Sequence, residues 1–346
     1  MSIVMCKRKR LTSSQIIIFG FSGVILLGTI LLMLPVSSRE GLWTSFPDAL
    51  FTSTSAVCVT GLVVHDTAAY WSGFGQLVLM LLIQIGGMGV ITVAASFAMI
   101  SGRRISLMQR STMQEAIAAP NVGGIVQLTG FAVKVTLLIE LLGAAAMAPV
   151  FCRDFGIRGL WMALFHSVSA FCNAGFDLMG TRGAFSSLTS YAEEPVVNVT
   201  IMLLIIVGGI GFLTWDDIRI NRFRLHKYRV QSKVIFCTTV VLLAVPAVYF
   251  FFFEFHEFAP GERILCALFQ SVTPRTAGFN TADLTAFSEP GQYIMIALML
   301  IGGSPGSTAG GMKTTTIAVL SASALSTFGR KEYTHFFGRR IDDAVV

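Results

Sequence analysis

Charge is what this chain of 346 residues has least of: Asp, Glu, Lys and Arg make up 13%, against 54% apolar residues and a mean hydropathy of +0.72. A soluble domain carries about 25% charged residues, so the composition excludes an ordinary soluble protein and places the chain in a bilayer. The spacings that build metal and redox sites are also missing. Six cysteines (Cys6, Cys58, Cys152, Cys172, Cys237 and Cys266) include no CxxC pair and lie mostly in apolar sequence. They read as small hydrophobes rather than a disulfide framework or zinc site. No HExxH, paired-carboxylate or nucleophile and base spacing occurs, and the chain is read as not an enzyme, with no bound cofactor and no metal.

What the sequence does have is long apolar runs. Ile16 to Leu34, Leu77 to Ile100, Leu128 to Val150, Val197 to Thr214, Val234 to Phe253, and Tyr293 to Gly303 continuing to Leu325 approach or exceed the roughly 20 residues that cross a hydrocarbon core. About six crossings are expected. The first run follows Lys7-Arg8-Lys9-Arg10, but it is long for a signal core and Pro35-Val36-Ser37-Ser38 is a poor cleavage site, so it is kept as a helix. Residues 1–15, 97–127, 214–234 and 326–346 hold 17 of the 25 Lys and Arg residues. That asymmetry predicts a multi-pass protein of the cell membrane with both termini cytoplasmic. It also accounts for the net charge of +6 without nucleic-acid binding.

A motif recurs within this pattern. Phe51 to Gly61-Leu62, Phe165 to Gly175-Phe176 and Phe269 to Gly278-Phe279 each run from Phe through small, apolar and hydroxyl residues to one Gly. Repetition at this spacing implies internal duplication, and duplicated membrane units commonly surround a shared pathway. Three short segments, Ser45 to Ser55, Arg158 to Ser169 and Gly261 to Thr273, predict helices of about 16 to 20 Å, half a bilayer, which must enter and leave on one side. Such re-entrant backbone is tolerated only inside protein or beside water. A half-helix ending at the Gly motif turns its partial negative charge toward the membrane interior, and Gly permits angles that aim carbonyls at a weakly hydrated cation. The candidate filter is Val59, Thr60 and Gly61, with Asn173, Ala174 and Gly175, and Thr276, Ala277 and Gly278. Thr60, Ala174 and Ala277 are expected to contribute carbonyls rather than side chains. Close helix packing is the alternative reading of any one of these glycines.

Cys58 and Cys172 stand three residues before their glycines and read as small filler. Arg275 holds that place in the last copy, where its guanidinium is expected to point away from the pathway and brace the loop. Double glycines follow each motif at Gly86-Gly87, Gly208-Gly209 and Gly302-Gly303. Close packing suffices for the first two. The third opens Gly302, Gly303, Ser304, Pro305, Gly306, Ser307, Thr308, Ala309, Gly310 and Gly311, where a continuous helix is not expected. This broken stretch, with Lys313 after it, is a candidate gate. It nearly matches a phosphate-binding loop, but Met312 stands where Lys is required and a membrane helix precedes it. Glu140 is the intramembrane acid expected to stabilise contacts between repeats or loops, whereas Lys134, six residues away, does not share its face. His65 and His166 lack partner spacing and read as structural, and Gln270 occupies the position matching His166.

Val59-Thr60-Gly61-Leu62, Asn173-Ala174-Gly175-Phe176, Thr273-Pro274-Arg275-Thr276-Ala277-Gly278-Phe279-Asn280-Thr281 and the string from Gly302 to Thr316 resemble the filter and gating loops of the Trk, Ktr and HKT cation transporters. The resemblance runs over essentially the whole chain. It implies an all-α membrane protein of repeated helix, pore-loop and helix units around a central pore, here at residues 1–110, 111–232 and 233–346. It implies potassium uptake, with K+ as the transported ion and Na+ dependence left open, because Gly occupies all three filter positions where the sodium-preferring plant members have Ser in the first. The start of the first apolar run is closer to the Ktr membrane subunit than to the longer Trk subunit. Such subunits are homodimers with one pore per protomer, and a cytosolic ring of nucleotide-binding regulatory subunits (KtrA-type) acts on the gating loop. Family members have four units. A fourth Gly is expected near residues 380 to 390, beyond Val346, so three of four units are expected here. A non-conducting fragment or regulatory membrane scaffold is the alternative.

Overall fold

The computed structural model of the protein describes residues 12–101, 105–117, 123–222, 224–330, 333 and 335–340. The basic run Lys7 to Arg10, Arg103, Arg104 and residues 341–346 lie outside them, and with these goes part of the basis for placing the termini. Helices dominate. A long outer helix is followed by a short helix, a loop and an inner helix, and the order recurs along the chain.

The first recurrence comprises α1 (Ser13–Met33), α2 (Phe46–Cys58), α3 (Thr67–Tyr70), α4 (Gly73–Met88) and α5 (Val90–Ile100), and α6 (Leu107–Ile117) connects it to the second. The second comprises α7 (Ile125–Phe155), α8 (Arg158–Phe171), α9 (Pro195–Gly209) and α10 (Phe212–Asn221). The third comprises α11 (Val230–Tyr249), α12 (Pro260–Val272), α13 (Glu289–Leu300) and α14 (Thr314–Phe328). A two-residue antiparallel pair, β1 (His335–Phe336) with β2 (Arg339–Arg340), follows. The short helices α2, α8 and α12 fall on the three half-length segments expected from sequence.

Local chemistry starts and stops these half-helices. Ser45 caps α2 by accepting from the Asp48 N–H, and Pro47 lies in its first turn, where a missing N–H costs nothing. Pro260 plays that part in α12. Each half-helix docks on its outer helix, and in the first two recurrences the same bond holds it. The Ser53 hydroxyl donates to the Ile25 carbonyl at 2.8 Å, and the Ser167 hydroxyl donates to the Glu140 carbonyl at 2.6 Å. Gly28 and Gly143 make room for these hydroxyls, since a Cβ would lie 2.5 and 2.6 Å from them. Matching bonds at matching positions are duplication visible in contacts. In the third recurrence Ser271 turns back to Leu268 within its own helix instead.

Among the described residues, three helices are long and apolar enough to cross a membrane: Ser13–Met33, Ile125–Phe155 and Val230–Glu254, where α11 continues through a π-helical turn. Their outward faces carry Leu26, Leu27, Leu137, Leu141, Val241 and Val245, all exposed, as lipid contact requires. The expected runs Leu77 to Ile100 and Val197 to Thr214 are not straight spans. The first breaks between Met88 and Val90 with a bend of 98°, the second between Gly209 and Phe212 with a bend of 94°. Counting each bent pair as one span gives up to five crossings, against about six expected. The third inner run is interrupted between Leu300 and Thr314, as its Gly and Pro content predicts.

The double glycines explain why the inner helices come so close. Gly86 abuts the Val57 carbonyl and Gly208 abuts the Phe171 carbonyl, so near that a Cβ on either would overlap the oxygen. Both carbonyls lie four residues before a motif Gly. The inner helices also reach forward, α4 packing on α8 and α9 on α12, which links successive recurrences in one direction. Gly208→Ala is therefore expected to destabilise the protein by about 1–3 kcal/mol through overpacking. Gly130→Ala, on a part of α7 where nothing lies within 4 Å of the added Cβ, should be neutral or stabilising by up to about 1 kcal/mol. Thermal unfolding of the detergent-solubilised protein checks the pair, and equal effects would contradict the packing assignment.

Candidate functional site

The three Gly loops share one backbone geometry. Two residues before each Gly, Val59, Asn173 and Thr276 have φ of 56°, 57° and 81°, and Gly61, Gly175 and Gly278 follow at 77°, 72° and 82°. A left-handed angle on β-branched Val or Thr costs on the order of 1–3 kcal/mol and persists only where surroundings impose it. Here helix termination imposes it. The N–H of Thr60 bonds the Ser55 carbonyl at 2.9 Å, that of Ala174 the Ser169 carbonyl at 2.8 Å, and that of Ala277 the Thr273 carbonyl at 3.0 Å. The loop N–H groups thus close the half-helices, as in other left-handed C-caps. Among the described backbone hydrogen bonds, none ends on the carbonyls of Thr60, Ala174 or Ala277.

The Ala174 and Ala277 carbonyls sit where the loops meet. A Cβ on Gly61 would lie 2.5 Å from the Ala174 carbonyl oxygen, and one on Gly175 closer still to that of Ala277. Gly278 comes within range of the Gly175 Cα, at 3.9 Å from its own Cβ position. The structure therefore sets Gly61 against Ala174 and Gly175, and Gly175 against Ala277 and Gly278, each loop lying against the next. Side chains brace them from behind. Ser169 donates to the Phe176 carbonyl at 2.7 Å and Thr273 to the Phe279 carbonyl at 2.6 Å, holding the residue after each Gly. His166, fully buried, accepts from the Leu178 N–H at Nε2 (3.2 Å), which leaves Nδ1–H to donate to the Met162 carbonyl at 2.7 Å. It is a structural clamp. Gln270, its counterpart, is buried with both amide atoms unpartnered.

The stretch 302–311 is a hairpin closed on itself. The N–H groups of Gly302, Gly303 and Met312 bond the carbonyls of Met312, Gly310 and Leu300 at 3.0, 3.2 and 3.2 Å. It also caps the break in the second inner helix. Ser304 N–H donates to the Gly209 carbonyl (2.9 Å) and Thr308 N–H to that of Gly208 (3.3 Å), while Phe212 N–H donates to the Gly306 carbonyl (2.8 Å). A broken helix leaves such groups orphaned, and this loop supplies their partners. Ser304 and Thr314 hydroxyls lie 3.1 Å apart, Ser307 donates to the Ser304 carbonyl at 2.6 Å, and Lys313 Nζ donates to the Ala309 carbonyl at 2.9 Å. Pro305 packs its carbonyl against Gly211.

Thr308 joins this hairpin to the second Gly loop, accepting from Asn173 Nδ2 at 3.0 Å and donating to the Phe171 carbonyl at 2.9 Å. Arg275 reaches the Gly302 carbonyl at 3.4 Å, bracing the third loop against the hairpin. Sequence alone missed the bracing roles of Ser169 and Thr273, although hydroxyls clustered at the ends of the half-helices were the available signal, and it placed Thr308 in the gate stretch without its tie to Asn173. Glu140 is buried on α7 with a carboxylate oxygen 4.0 Å from Cys172 Sγ, behind the second loop, while Lys134 is exposed. His65 pairs with Asp48 at 3.3 Å and stacks on Tyr70. No group of His, Cys, Asp or Glu suited to a metal ion occurs among the described residues.

A family model described as "TrkH: Cation transport protein" matches residues 7–346. The chain belongs to the TrkH cation transport family. It is 41% identical over 345 residues to the potassium/sodium uptake protein NtpJ of Enterococcus hirae, covering 98% of this chain and 75% of that one. It is 38% identical over 346 residues to the Ktr system potassium uptake protein B of Bacillus subtilis, covering 97% and 76%. The crystal structure of the potassium transporter TrkH from Vibrio parahaemolyticus superposes with a TM-score of 0.70 at 20% identity, over 98% of this chain and 68% of that one, a likeness of fold. These matches place the chain among membrane transporters and not among enzymes.

In this TrkH family member, carboxylates stand just outside the Gly loops. Asp66 ties two recurrences together, accepting from the N–H groups of Ala68, Ala69 and Phe185 at 3.0, 2.8 and 2.9 Å. Asp177, two residues after Gly175, accepts from Met179 N–H at 2.9 Å. Burial, with the nearby Asp66 charge adding to it, pushes the Asp177 carboxyl up to about 6. The group is neutral below that pH and anionic above it. Cation uptake is expected to fall as the pH on the side of the membrane that Asp177 faces is lowered through about 6, and Asp177→Asn to flatten that part of the profile. A wild-type profile in the variant would contradict the role.

Proposed function

We propose that the chain is the translocating membrane subunit of a potassium uptake system, with K+ coordinated in turn by the carbonyls of the three Gly loops. The observation that carries this reading is the matched left-handed pair in each loop, which commits the N–H groups to the half-helices and leaves the carbonyls of one loop against the glycine of the next. Carbonyl oxygens replace a hydration shell cheaply for a large monovalent cation, and three half-helix C-termini add partial negative charge. The names of the relatives, uptake proteins for potassium or for potassium and sodium, support the ion and leave Na+ dependence open.

In this reading the units are 1–110, 111–232 and 233–346, three of four, and the hairpin 302–311 with Lys313 is the gate. Its bonds to the Gly208 and Gly209 carbonyls, and those of its Thr308 to Asn173 and the Phe171 carbonyl, hold it against the second Gly loop, so opening requires their release. The subunit works as a homodimer in the cell membrane, termini inward, under a cytosolic nucleotide-binding ring that moves the hairpin.

Expression in cells lacking potassium uptake, together with the coding sequence of any fourth unit, should restore growth at low potassium. Well-expressed, folded protein that fails to do so would overturn the proposal. Gly61→Ser and Gly175→Ser should each weaken discrimination against sodium, because the added Cβ displaces the facing carbonyl. Unchanged K+ over Na+ preference in flux assays would contradict the filter assignment.

A further inference from the structure

Between the second and third recurrences lies a small cavity, about 20 Å³ as space open to a water's centre, walled by Ile205, Ile206 and Val272 and by the polar residues Asn173, Thr239 and Arg275. Its three polar residues come from different elements: Asn173 from the second Gly loop, Arg275 from the third and Thr239 from α11. Gly303 of the hairpin, with Gly209 and Ile210 at the break of the second inner helix, completes the wall. All three polar residues are more than nine-tenths buried, with exposures of 1%, 7% and 8%. Each keeps one atom without a protein partner: Asn173 Oδ1, Thr239 Oγ1 and Arg275 Nε. Three orphaned polar atoms on residues that line one cavity is a large penalty for a folded protein to carry, since each costs about 1–3 kcal/mol.

We infer that this cavity is the site of one resident water molecule that bridges Asn173, Thr239 and Arg275, joining the second and third Gly loops beside the hairpin. The volume fits, because a water requires roughly 10–15 Å³ by the same measure and typically makes about three hydrogen bonds. The donor and acceptor pattern fits water alone. Arg275 Nε–H can only donate. Asn173 can only accept there: the Thr308 hydroxyl gives its proton to the Phe171 carbonyl, so it must accept from Asn173 Nδ2, and that fixes Oδ1 as the other end of the amide. An anion would be repelled by Asn173 Oδ1 and a cation by the Arg275 guanidinium. Water accepts from Arg275 and donates to Asn173, and the Thr239 hydroxyl takes whichever role remains.

Arg275 also bonds the Gly302 carbonyl, and Asn173 bonds Thr308, so the water closes a circuit linking two Gly loops to the hairpin at Gly302 and Thr308. Displacement of the hairpin would strip these partners together. This function of the circuit rests on the filter and gate reading, whereas occupancy of the site does not.

The test uses the full chain in its membrane assembly. A structure at a resolution that shows ordered water should place one water within about 2.7–3.2 Å of all three orphaned atoms. Absence of that water, a monatomic ion in its place, or a reversed Asn173 amide would overturn the assignment. Thr239→Val keeps the side-chain shape and removes one partner. It should raise sodium competition in rubidium-uptake assays several-fold, with Thr239→Ser restoring wild-type behaviour. Wild-type transport in Thr239→Val, while Gly175→Ser alters selectivity, would overturn the coupling and leave the filter reading standing. No effect from Gly175→Ser would instead remove the filter reading, and the water would be judged on density alone.

Discussion

Backbone at membrane depth cannot be left to lipid, and this constraint organises the molecule. Every N–H and C=O that leaves a helix inside the bilayer needs a partner in protein or water. The three half-helices meet the demand asymmetrically. Their loops turn N–H groups back onto the helix ends through left-handed residues at Val59, Asn173 and Thr276, and the carbonyls of Thr60, Ala174 and Ala277 remain without a described backbone donor. The Ala174 and Ala277 carbonyls instead lie against the glycines of the neighbouring loops.

The same constraint explains the hairpin at 302–311. Breaking α9 at Gly209 frees carbonyls at Gly208 and Gly209 and an N–H at Phe212, and the hairpin takes all three. The break in the inner helix of the second recurrence thus depends on the break in that of the third. Small residues make the match possible, since the Gly208 position has no room for a Cβ beside the Phe171 carbonyl and Thr308. A loop held by a few hydrogen bonds, rather than by buried apolar area, is suited to being released and reset.

Much of this was readable from residue order. The half-helices fall where short semi-apolar stretches end in a Gly motif, and the interruption of the third inner run follows from five glycines and a proline in ten residues. The breaks in the first two inner helices were not readable, because Gly86-Gly87 and Gly208-Gly209 suit a close-packed straight helix as well as a bent one. Val59 and Thr276 ran against expectation, as β-branched residues disfavour the left-handed region. Only the tertiary setting, in which a neighbouring loop lies against the following Gly, selects it. Partners distant in sequence, such as Asn173 with Thr308 or Gly61 with Ala174, have no local signature.

The central claim is that carbonyls of successive Gly loops form one coordination path for a monovalent cation. Diffraction from crystals of the full membrane assembly grown in rubidium or thallium measures this most directly, since the anomalous signal locates the ion itself. The account predicts peaks between the three Gly loops, in direct coordination with the carbonyls of Thr60, Ala174 and Ala277, and their loss when sodium alone is present. Peaks elsewhere in the protein, with none between the three loops, would contradict it.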